Sequence, residues 1–337
     1  MIFLKNDYGR GAHENVFRAL EKVNYEYHDS YGDDDICMEA REFIRGIVGP
    51  GVAGVHFIHG GTATNKTCLA AFMRPYEAAV AADSGHISVH ETGAVEATGH
   101  KIIEVPSDDG KITPDQIEEV IEVHNMSQMV LPRVVYISDT TEPGTVYTKA
   151  ELTALRECCD RHDLYLYLDG ARLAYALTAP KNDMTYKDLG ELCDAFYFGG
   201  TKCGALFGEA VVIMNEKLNE NFAFVMRQNG SLFAKGVLLS SQFRALLEDD
   251  LYLRLGKKAN DMAFRLADGI TARGYDFAYT PESNQIFPIF SDKKVGELDR
   301  DVMYTLWEKR HDGTQVIRLV TSWATEEKDV DDFLELI

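Results

Sequence analysis

Residues 194–204 read Asp-Ala-Phe-Tyr-Phe-Gly-Gly-Thr-Lys-Cys-Gly, so Lys202 lies among small residues shortly after the apolar run 195–198. Such a run predicts a buried β-strand. A lysine amine that is aimed by a rigid strand end, with little bulk around it, suits covalent chemistry with an aldehyde. A second interpretation stays open, because two glycines after a strand also form plain turns, beside which a lysine is solvated.

The apolar run before Lys202 is one of seven, and helical segments separate them. Helical spacing of apolar residues is clearest at 113–124 and 148–161, and a further helix begins at the acidic residues 33–35 and ends at 49–51. Short strands that alternate with helices predict an α/β fold with a mostly parallel sheet covered on both faces. The other six runs lie at 55–58, 78–82, 102–105, 134–137, 164–168 and 211–214.

The pattern changes after residue 215, where helical periodicity continues to residue 273. Two short strand-like runs follow, at 287–290 and 316–320. A chain of 337 residues exceeds one typical domain. We therefore predict a large domain over residues 1–250, which includes the N-terminal segment, and a smaller C-terminal α+β domain over residues 251–337.

The composition excludes several classes of function. The formal charge is −20, from 54 acidic and 34 basic residues, and a field of this sign repels nucleic acid and anionic membranes. The first residues lack the apolar core of a secretory signal and no apolar run reaches membrane-spanning length, which predicts a cytoplasmic protein. Six cysteines without paired metal-ligand spacing predict reduced, structural thiols and no metal site, with Cys203 as a less favoured nucleophile.

Polar residues directly follow four of the predicted strands. In a parallel sheet the carboxyl ends of the strands share one edge, and ligands collect there. The segments 59–67, 83–86, 169–172 and 199–205 should therefore face one another.

Gly61 and Thr62 open a predicted helix, whose free N–H groups and dipole favour a phosphate group. The same stretch half-matches the phosphate loop of nucleotide triphosphatases, with Asn65-Lys66-Thr67 where that motif requires Gly-Lys-Thr. A nucleotide-binding module is therefore an alternative, as is a plain turn into a helix.

Asp169 ends an apolar strand, so its carboxylate is predicted to be buried and to need a partner. A protonated pyridine nitrogen would serve, and the ring of pyridoxal, with its aldehyde on Lys202, would then act as an electron sink. An ion pair between Asp169 and Arg172 is the alternative. His86 ends another of the four segments at this edge of the sheet and could stack on a flat ring. His90 follows four residues later on the same helix face. A lone histidine is nevertheless more often an ordinary surface or core residue.

Arg172 and Arg318 have planar guanidinium groups, which suit the carboxylate of a substrate. Arg318 lies within the otherwise apolar stretch 316–322, where an unpaired arginine would be costly. An inter-strand salt bridge is the alternative for Arg318.

Five motifs occur in the order and spacing of one known family. They are His-Gly-Gly-Thr-Ala-Thr-Asn at 59–65, Ser-Gly-His at 84–86, Leu-Asp-Gly-Ala-Arg at 168–172, Gly-Thr-Lys at 200–202 and Arg-Leu-Val-Thr-Ser-Trp at 318–323. Together with Tyr-Gly-Asp-Asp at 31–34, they make the chain similar to the threonine aldolase family over nearly its whole length. The resemblance implies a pyridoxal-phosphate-dependent enzyme of the aspartate-aminotransferase-like (pyridoxal-phosphate transferase-like) fold. Such an enzyme cleaves L-threonine, L-allo-threonine or a related β-hydroxy-α-amino acid to glycine and an aldehyde.

The resemblance also implies roles for individual residues. Lys202 would be the Schiff-base lysine, Asp169 the partner of the pyridine nitrogen and His86 the residue stacked on the ring. Gly199 and Gly200 would leave room for the aldehyde end of the cofactor. The predicted phosphate-binding residues are Gly61, Thr62, Thr201 and Lys235, and the predicted substrate-binding residues are Asn6, Tyr31, His90, Arg172 and Arg318.

The sequence departs from the family pattern at two places. Thr140-Thr141 stands where many relatives have a second histidine, and Lys235 stands for an arginine that reaches the phosphate of the neighbouring subunit. The base that takes the β-hydroxyl proton is therefore open among His86, His90 and a phosphate-bound water. The resemblance implies a homo-oligomer. A dimer is the minimum, and the form known for the family is a homotetramer. β-Elimination or transamination on the same cofactor, and a catalytically silent homologue, are the alternative functions.

Overall fold

The computed structural model describes residues 1–337, and a seven-stranded sheet forms its centre. The exception to its parallel order is Glu209–Ile213, which pairs antiparallel with Gly54–Ile58 on one side and with Ala195–Gly199 on the other. Each of the predicted apolar runs forms one strand, and the predicted mostly parallel sheet is confirmed. The order across the sheet is Gly54–Ile58, Glu209–Ile213, Ala195–Gly199, Tyr165–Asp169, Leu131–Ser138, Glu77–Ala82 and Lys101–Val105.

Both faces of this sheet are covered, because alternate residues of one strand belong to different core clusters. Ala78, Val80 and Ala82 pack in a cluster of 45 buried residues, whereas Ala79 and Ala81 pack in a second cluster of 21. Side chains of a strand point alternately to its two faces, so each cluster lies on one face. The sheet is therefore buried on both sides, as the continuous apolar runs predict.

Several helices begin where a side chain satisfies their first N–H groups. Thr113 and Thr148 form capping boxes, in which the hydroxyl accepts from the N–H group three residues on, so the helices predicted at 113–124 and 148–161 begin one residue later. The helix predicted to begin at residues 33–35 is Asp35–Val48, and the carboxylate of Asp34 accepts from the N–H of Cys37 at its start. The helices are Glu14–Val23, Asp35–Val48, Gly61–Phe72, His86–Val89, Pro114–Val123, Lys149–Arg161, Leu173–Leu177, Tyr186–Leu192, Glu216–Asn219, Phe222–Gln228, Val237–Leu247, Leu251–Ala272, Asp292–Leu298 and Glu327–Leu334. None of them is both long and apolar enough to cross a membrane.

A second, four-stranded sheet lies in the C-terminal part of the chain. Its core is a separate cluster of 16 buried residues, to which the long helix Leu251–Ala272 contributes. Ile2 and Leu4 also belong to this cluster, and the strand Ile2–Phe3 runs parallel to Val302–Met303. The division at residue 250 stays a prediction, but the first residues pack with the C-terminal part and not with the large sheet. The strands of the second sheet are Gln285–Ile286, Ile289–Ser291, Thr305–Lys309 and Thr314–Val320.

Candidate active site

The polar segments that follow the strands meet in one cavity of about 190 Å³ at the carboxyl edge of the large sheet. A larger cavity, of about 390 Å³, lies elsewhere, and its lining is mainly apolar and contains no lysine. We therefore place the candidate site in the smaller cavity. The predicted residues that line it are Gly61, Thr62, His86, Asp169, Arg172, Thr201 and Lys202.

Lys202 follows the strand Ala195–Gly199, and its partly buried side chain reaches the cavity. The hydroxyl of Tyr175 donates to the backbone carbonyl of Lys202 at 2.6 Å, which fixes the loop. Burial and the positive charge of Arg172 lower the pKa of Lys202, against the opposing charge of Asp7. A larger share of the amine is thus neutral and nucleophilic, and the interpretation as a solvated turn is wrong.

The loops that follow two neighbouring strands touch through their glycines. A Cβ on Gly170 would overlap the carbonyl oxygen of Tyr197, and a Cβ on Gly199 would overlap that of Ala171. Neither Gly199 nor Gly200 lines the cavity. The expectation that these two glycines leave room for the cofactor is therefore wrong, because neighbouring groups of the protein fill the space.

Asp169 is buried at its strand end and accepts four hydrogen bonds. Tyr136 and Asn65 donate to Oδ2, at 2.5 and 2.8 Å, while Tyr197 and the backbone N–H of Ala171 donate to Oδ1. Burial opposes the charged form, but a nearby histidine and the tyrosine hydroxyls outweigh it, so the pKa of Asp169 lies below its usual value. The carboxylate is therefore ionised at neutral pH.

These donors distinguish the two interpretations of Asp169. The guanidinium of Arg172 bonds a different carboxylate, so the predicted alternative of an Asp169–Arg172 ion pair is wrong. A carboxylate has about four acceptor sites. Tyr197 is the side-chain donor that lines the cavity. A pyridinium N–H would therefore donate to Oδ1 of Asp169 either in place of the Tyr197 hydroxyl or beside it. A charged, buried carboxylate at the cavity wall thus fits a protonated ring nitrogen.

His86 is held by a buried chain of side chains. Its Nδ1 lies 2.8 Å from Oε1 of Glu91, and the same oxygen accepts from Nδ2 of Asn65 at 2.8 Å. Asn65 also donates to Asp169, so one amide positions both the histidine and the aspartate. Burial disfavours the charged imidazole, but Glu91 and Glu142 more than compensate and raise the pKa of His86.

His90 lies beside His86 at the edge of the site. The centroids of the two rings are 5.5 Å apart, and Nε2 of His90 is 3.7 Å from Oε2 of Glu142. The side chain of His90 is 42% exposed and does not line the cavity. Burial lowers the pKa of His90, although the charge of Glu142 acts in the opposite direction. The lowered pKa keeps this imidazole mainly neutral at neutral pH.

Arg172 forms a buried two-point ion pair that the sequence does not predict. Its Nε and Nη2 donate to the carboxylate of Asp7 at 2.8 and 3.1 Å, and Asn284 donates to the same carboxylate at 3.0 Å. Asp7, and not the neighbouring Asn6, is thus the residue beside Arg172. These bonds leave the second terminal nitrogen of the guanidinium for an anion in the cavity.

Arg318 has a buried Nε without a hydrogen-bond partner. Its guanidinium lies 5.7 Å from the centroid of the Trp307 ring and pairs with no carboxylate, so the inter-strand salt bridge is wrong. Burial and the charge of Arg172 lower the pKa of Arg318. A buried cation with an unpaired donor is costly, and this environment fits an anion supplied by a ligand.

Gly61 and Thr62 begin the helix Gly61–Phe72, and both line the cavity. The first N–H groups of a helix have no acceptor within it, and the helix dipole adds positive potential there. Residues 62–67 are helical, so they do not form the wrapping loop of a nucleotide triphosphatase. Lys66 also lies outside the lining of the cavity, and the nucleotide-binding alternative is therefore wrong.

Thr201 lines the cavity together with a carboxylate that the sequence does not single out. Oε1 of Glu209 lies 2.8 Å from the hydroxyl of Thr201, and Oε2 accepts from the N–H of Gly200 at 2.8 Å. The hydroxyl also accepts from the N–H of Gly208 at 2.9 Å. Glu209 is buried, and burial raises its pKa to about 8 against the effect of these hydrogen bonds.

Like His90 and Arg318, three further predicted residues do not line the cavity of the single chain. Asn6 accepts from the N–H of Tyr8 at 3.2 Å, within its own turn. Tyr31 lines the larger, mainly apolar cavity, with the guanidinium of Arg227 4.1 Å from its ring centroid. Lys235 lies at a third cavity. The roles of all three stay predictions.

The cysteines take no part in the lining of the cavity. All six are free and buried. Burial raises the pKa of the Cys203 thiol, so the alternative of a Cys203 nucleophile is wrong. Cys158 lies in a group with Glu118 and His162, whose ligand atoms are within 4.8 Å of one another. Arg161 already pairs with Glu118 at 2.8 Å, and the absence of a metal site stays a prediction.

Apart from Asp169, the acidic residues of the site were not predicted from the sequence. Asp7, Glu91 and Glu142 lie outside the predicted strands and form no motif with their neighbours. Glu209 had a signal that could have found it, because a charged residue that begins an apolar, buried strand needs a partner. Tyr197 was indistinguishable from the core aromatic residues around it.

Comparisons with known proteins identify the family of the chain. Residues 12–293 match the model of a family described as beta-eliminating lyase. A low specificity L-threonine aldolase from Pseudomonas sp. is 32% identical over 336 residues, which cover 97% of this chain and 94% of that protein.

Two solved structures are similar over the full length. A threonine aldolase from Leishmania major has a TM-score of 0.98 and 44% sequence identity, and the match covers 100% of this chain and 98% of that chain. A double mutant of Thermus thermophilus aspartate aminotransferase has a TM-score of 0.74 at 17% identity, covers 100% of this chain and 90% of its own, and shows the shared fold alone. The predicted fold class is confirmed. The chain therefore belongs to the beta-eliminating lyase family and, within it, to the threonine aldolases.

Proposed function

We propose that the protein cleaves the Cα–Cβ bond of L-threonine, L-allo-threonine or a related β-hydroxy-α-amino acid, with pyridoxal 5′-phosphate as cofactor. The products would be glycine and an aldehyde. One observation carries the proposal: Lys202, with its lowered pKa, shares a cavity with the ionised carboxylate of Asp169 and the cation of Arg172. Membership of the family makes the protein a lyase.

The residues of the cavity fit this cofactor. When bound, pyridoxal phosphate supplies an electron sink that stabilises negative charge on Cα of the substrate. Lys202 would hold the aldehyde carbon, Asp169 the ring nitrogen and His86 a face of the ring. The phosphate would be held by the helix N–H groups of Gly61 and Thr62 and by the hydroxyl of Thr201.

The charges of the site set the state in which each side chain acts. Asp169 stays ionised and therefore favours a protonated ring nitrogen. The lowered pKa of Lys202 provides a neutral amine, which can attack an aldehyde and later accept a proton. Because Arg172 contributes to that lowered pKa, an anion bound by Arg172 also changes the protonation of Lys202.

Arg172 and Arg318 would bind the carboxylate of the substrate. The buried Nε of Arg318 has no partner, and Arg172 uses only Nε and Nη2 on Asp7. A planar guanidinium binds a carboxylate at two points and so orients it. A fixed orientation of the substrate holds the bond to be broken in one direction relative to the cavity.

His90 is the best supported base for the proton of the β-hydroxyl group. A general base must be unprotonated before it accepts a proton. The pKa of His90 is lowered, whereas that of His86 is raised, so at neutral pH a larger share of His90 than of His86 is unprotonated. Glu142, 3.7 Å from His90, would stabilise the imidazolium that forms.

We also propose that the protein is a cytoplasmic homo-oligomer, at least a dimer, with the homotetramer as the form implied by the resemblance. Tyr31 and Lys235 lie outside the Lys202 cavity of one chain, and a second subunit would have to bring them to it. Sedimentation equilibrium measures the mass in solution. A monomer with full activity would contradict this part of the proposal.

The reaction is tested by supplying L-threonine and measuring glycine and acetaldehyde. We expect equal amounts of both, because one cleavage gives one of each, and no release of ammonia. Pyruvate and ammonia from L-serine, without glycine from L-threonine, would instead identify β-elimination, the chemistry in the description of the family. A protein that binds the cofactor but converts neither substrate would be a silent homologue, contrary to the proposal.

A further inference from the structure

Glu209 is a carboxylate that the proposed reaction does not use, although it lines the cavity beside Thr201. It begins the strand Glu209–Ile213, in register with Gly199 on one side and with Ile58 on the other. The strand that ends at Gly199 leads into residues 200–205, the lysine loop. The strand that ends at Ile58 leads to the N-terminus of the helix Gly61–Phe72 at the cavity. Glu209 therefore lies between the two segments that would hold a phosphate group.

Both oxygens of the Glu209 carboxyl group contact the lysine loop. Oε2 accepts from the N–H of Gly200 at 2.8 Å, and Oε1 lies 2.8 Å from the hydroxyl of Thr201. That hydroxyl also accepts from the N–H of Gly208 at 2.9 Å. A threonine hydroxyl has one proton and two acceptor sites. The carbonyl oxygen of Gly208, 3.5 Å from the hydroxyl, is a weaker acceptor than Glu209. The protonation of Glu209 therefore decides whether the proton of Thr201 is bound by Glu209 or is free for a ligand in the cavity.

We propose that Glu209 is protonated when the cavity holds a phosphate group, and that it thereby makes the Thr201 hydroxyl a donor to that phosphate. The protonated acid donates its O–H to Oγ1 of Thr201, whose own O–H then donates to the phosphate. Loss of this proton to solvent reverses the arrangement, because the carboxylate then accepts from Thr201 and faces the phosphate with a negative charge. Glu209 is thus a positioning residue that couples phosphate binding to the uptake of one proton. The inference rests on the proposed function, since the phosphate is that of the cofactor.

The surroundings of Glu209 favour the protonated acid. Burial is the main cause that raises the pKa of Glu209, and the charge of Asp169 adds to it, while the hydrogen bonds and Lys202 act in the opposite direction. Two negative charges in contact repel strongly where water is scarce, so a bound phosphate raises the pKa further. The charges of Asp169 and Lys202 act on the pKa of Glu209. The charge of Glu209 in turn raises the pKa of Tyr197 and of Tyr252.

Binding of pyridoxine 5′-phosphate to the cofactor-free protein tests the proposal, because its alcohol cannot bond covalently to Lys202. Its phosphate has a second pKa of about 6 and is a dianion between about pH 7 and pH 9. We expect the wild-type Kd to rise about tenfold over this range, as one proton is lost from the free site, with a much smaller change for pyridoxine. Glu209→Gln mimics the protonated acid, since its amide donates to Thr201 and accepts from Gly200. Its Kd should match the wild type near pH 7 and change less than about threefold up to pH 9.

Thr201→Val is the control for the hydroxyl. It should bind pyridoxine 5′-phosphate more weakly near pH 7, while the repulsion between ionised Glu209 and the phosphate keeps part of the dependence on pH. A wild-type Kd that does not change with pH, or a Glu209→Gln variant as sensitive as the wild type, would overturn the role of Glu209. If Glu209→Gln does not fold, calorimetry of the wild type in two buffers of different ionisation enthalpy measures the same proton. Uptake should approach about one proton per site above pH 8, and zero uptake would overturn the proposal. No binding at any pH would instead overturn the cofactor assignment, which the glycine assay tests separately.

Discussion

At the scale of single residues, Arg318 combines a buried, unpaired Nε with a position near the charge of Arg172. We predict that Arg318→Gln lowers kcat/KM for L-threonine about 10- to 100-fold, because a hydrogen bond to a charged group contributes about 1.5–3 kcal/mol. The visible spectrum of the bound cofactor should not change, since Arg318 does not line the Lys202 cavity. Steady-state kinetics on the purified variant provide the measurement.

The matched control for Arg318 is Arg265→Gln, which removes an exposed arginine that pairs with Glu327 and Asp331. Surface ion pairs contribute little to stability, so this variant should keep wild-type kinetics. An Arg318→Gln enzyme with unchanged kcat/KM would show that Arg318 does not bind the substrate carboxylate.

At the scale of the element, the ends of the strands Tyr165–Asp169 and Ala195–Gly199 approach so closely that only glycine fits between them. A methyl group in Gly170→Ala would overlap the carbonyl oxygen of Tyr197. Overpacking of this kind costs about 1–3 kcal/mol or more and would separate Asp169 from Lys202. We predict a lower thermal midpoint and weaker binding of the cofactor, both measured on the same preparation.

Gly46→Ala is the control for this substitution, because nothing lies within 4 Å of its added Cβ in the helix Asp35–Val48. Alanine in a helix interior is favoured over glycine by roughly 0.5–1 kcal/mol, so this variant should be slightly more stable. Equal stability and cofactor affinity of Gly170→Ala and the wild type would refute the role of the close approach.

At the scale of the whole molecule, buried acids make stability depend on pH. Burial raises the pKa of Asp139 to about 8, and its Oδ2 has no hydrogen-bond partner. The folded protein therefore keeps a proton that the unfolded chain releases above about pH 4. The stabilising contribution of this acid is complete below about pH 4 and is lost as the pH rises toward about 8. Glu209 acts in the same direction.

Asp139→Asn should flatten this dependence, because the amide cannot ionise and keeps the oxygen that accepts from the N–H of Tyr147. Between about pH 6 and pH 8 we expect the wild type to lose roughly 2 kcal/mol more stability than the variant. Thermal unfolding of the cofactor-free protein at both pH values measures the difference. The exposed Asp33, changed to Asn, is the control and should follow the wild type. A midpoint of Asp139→Asn that falls as steeply as that of the wild type would contradict the assignment.

The large sheet and the polar residues at its carboxyl edge were predictable for two reasons. Buried parallel strands are continuous apolar runs, and Asp169 and Lys202 lie at or shortly after the ends of two such runs. The partner of Arg172 was not, since Asp7 is 165 residues away in sequence. That contact depends on the first strand pairing with Val302–Met303 in the C-terminal part of the chain, which no local pattern encodes. The role of Gly199 was misjudged for a similar reason, because the approach of neighbouring loops is a property of the packed sheet.

Lys202 is proposed to hold the cofactor. Reduction of the protein loaded with pyridoxal 5′-phosphate, which should be yellow, with sodium borohydride and then peptide mass mapping test this most directly. We predict a cofactor-derived mass on the peptide that contains Lys202, and a colourless Lys202→Ala variant without this mass. Lys66→Ala, in the helix Gly61–Phe72 but outside the lining of the cavity, should keep both the colour and the adduct. No adduct, or an adduct on another lysine such as Lys66, would contradict the claim.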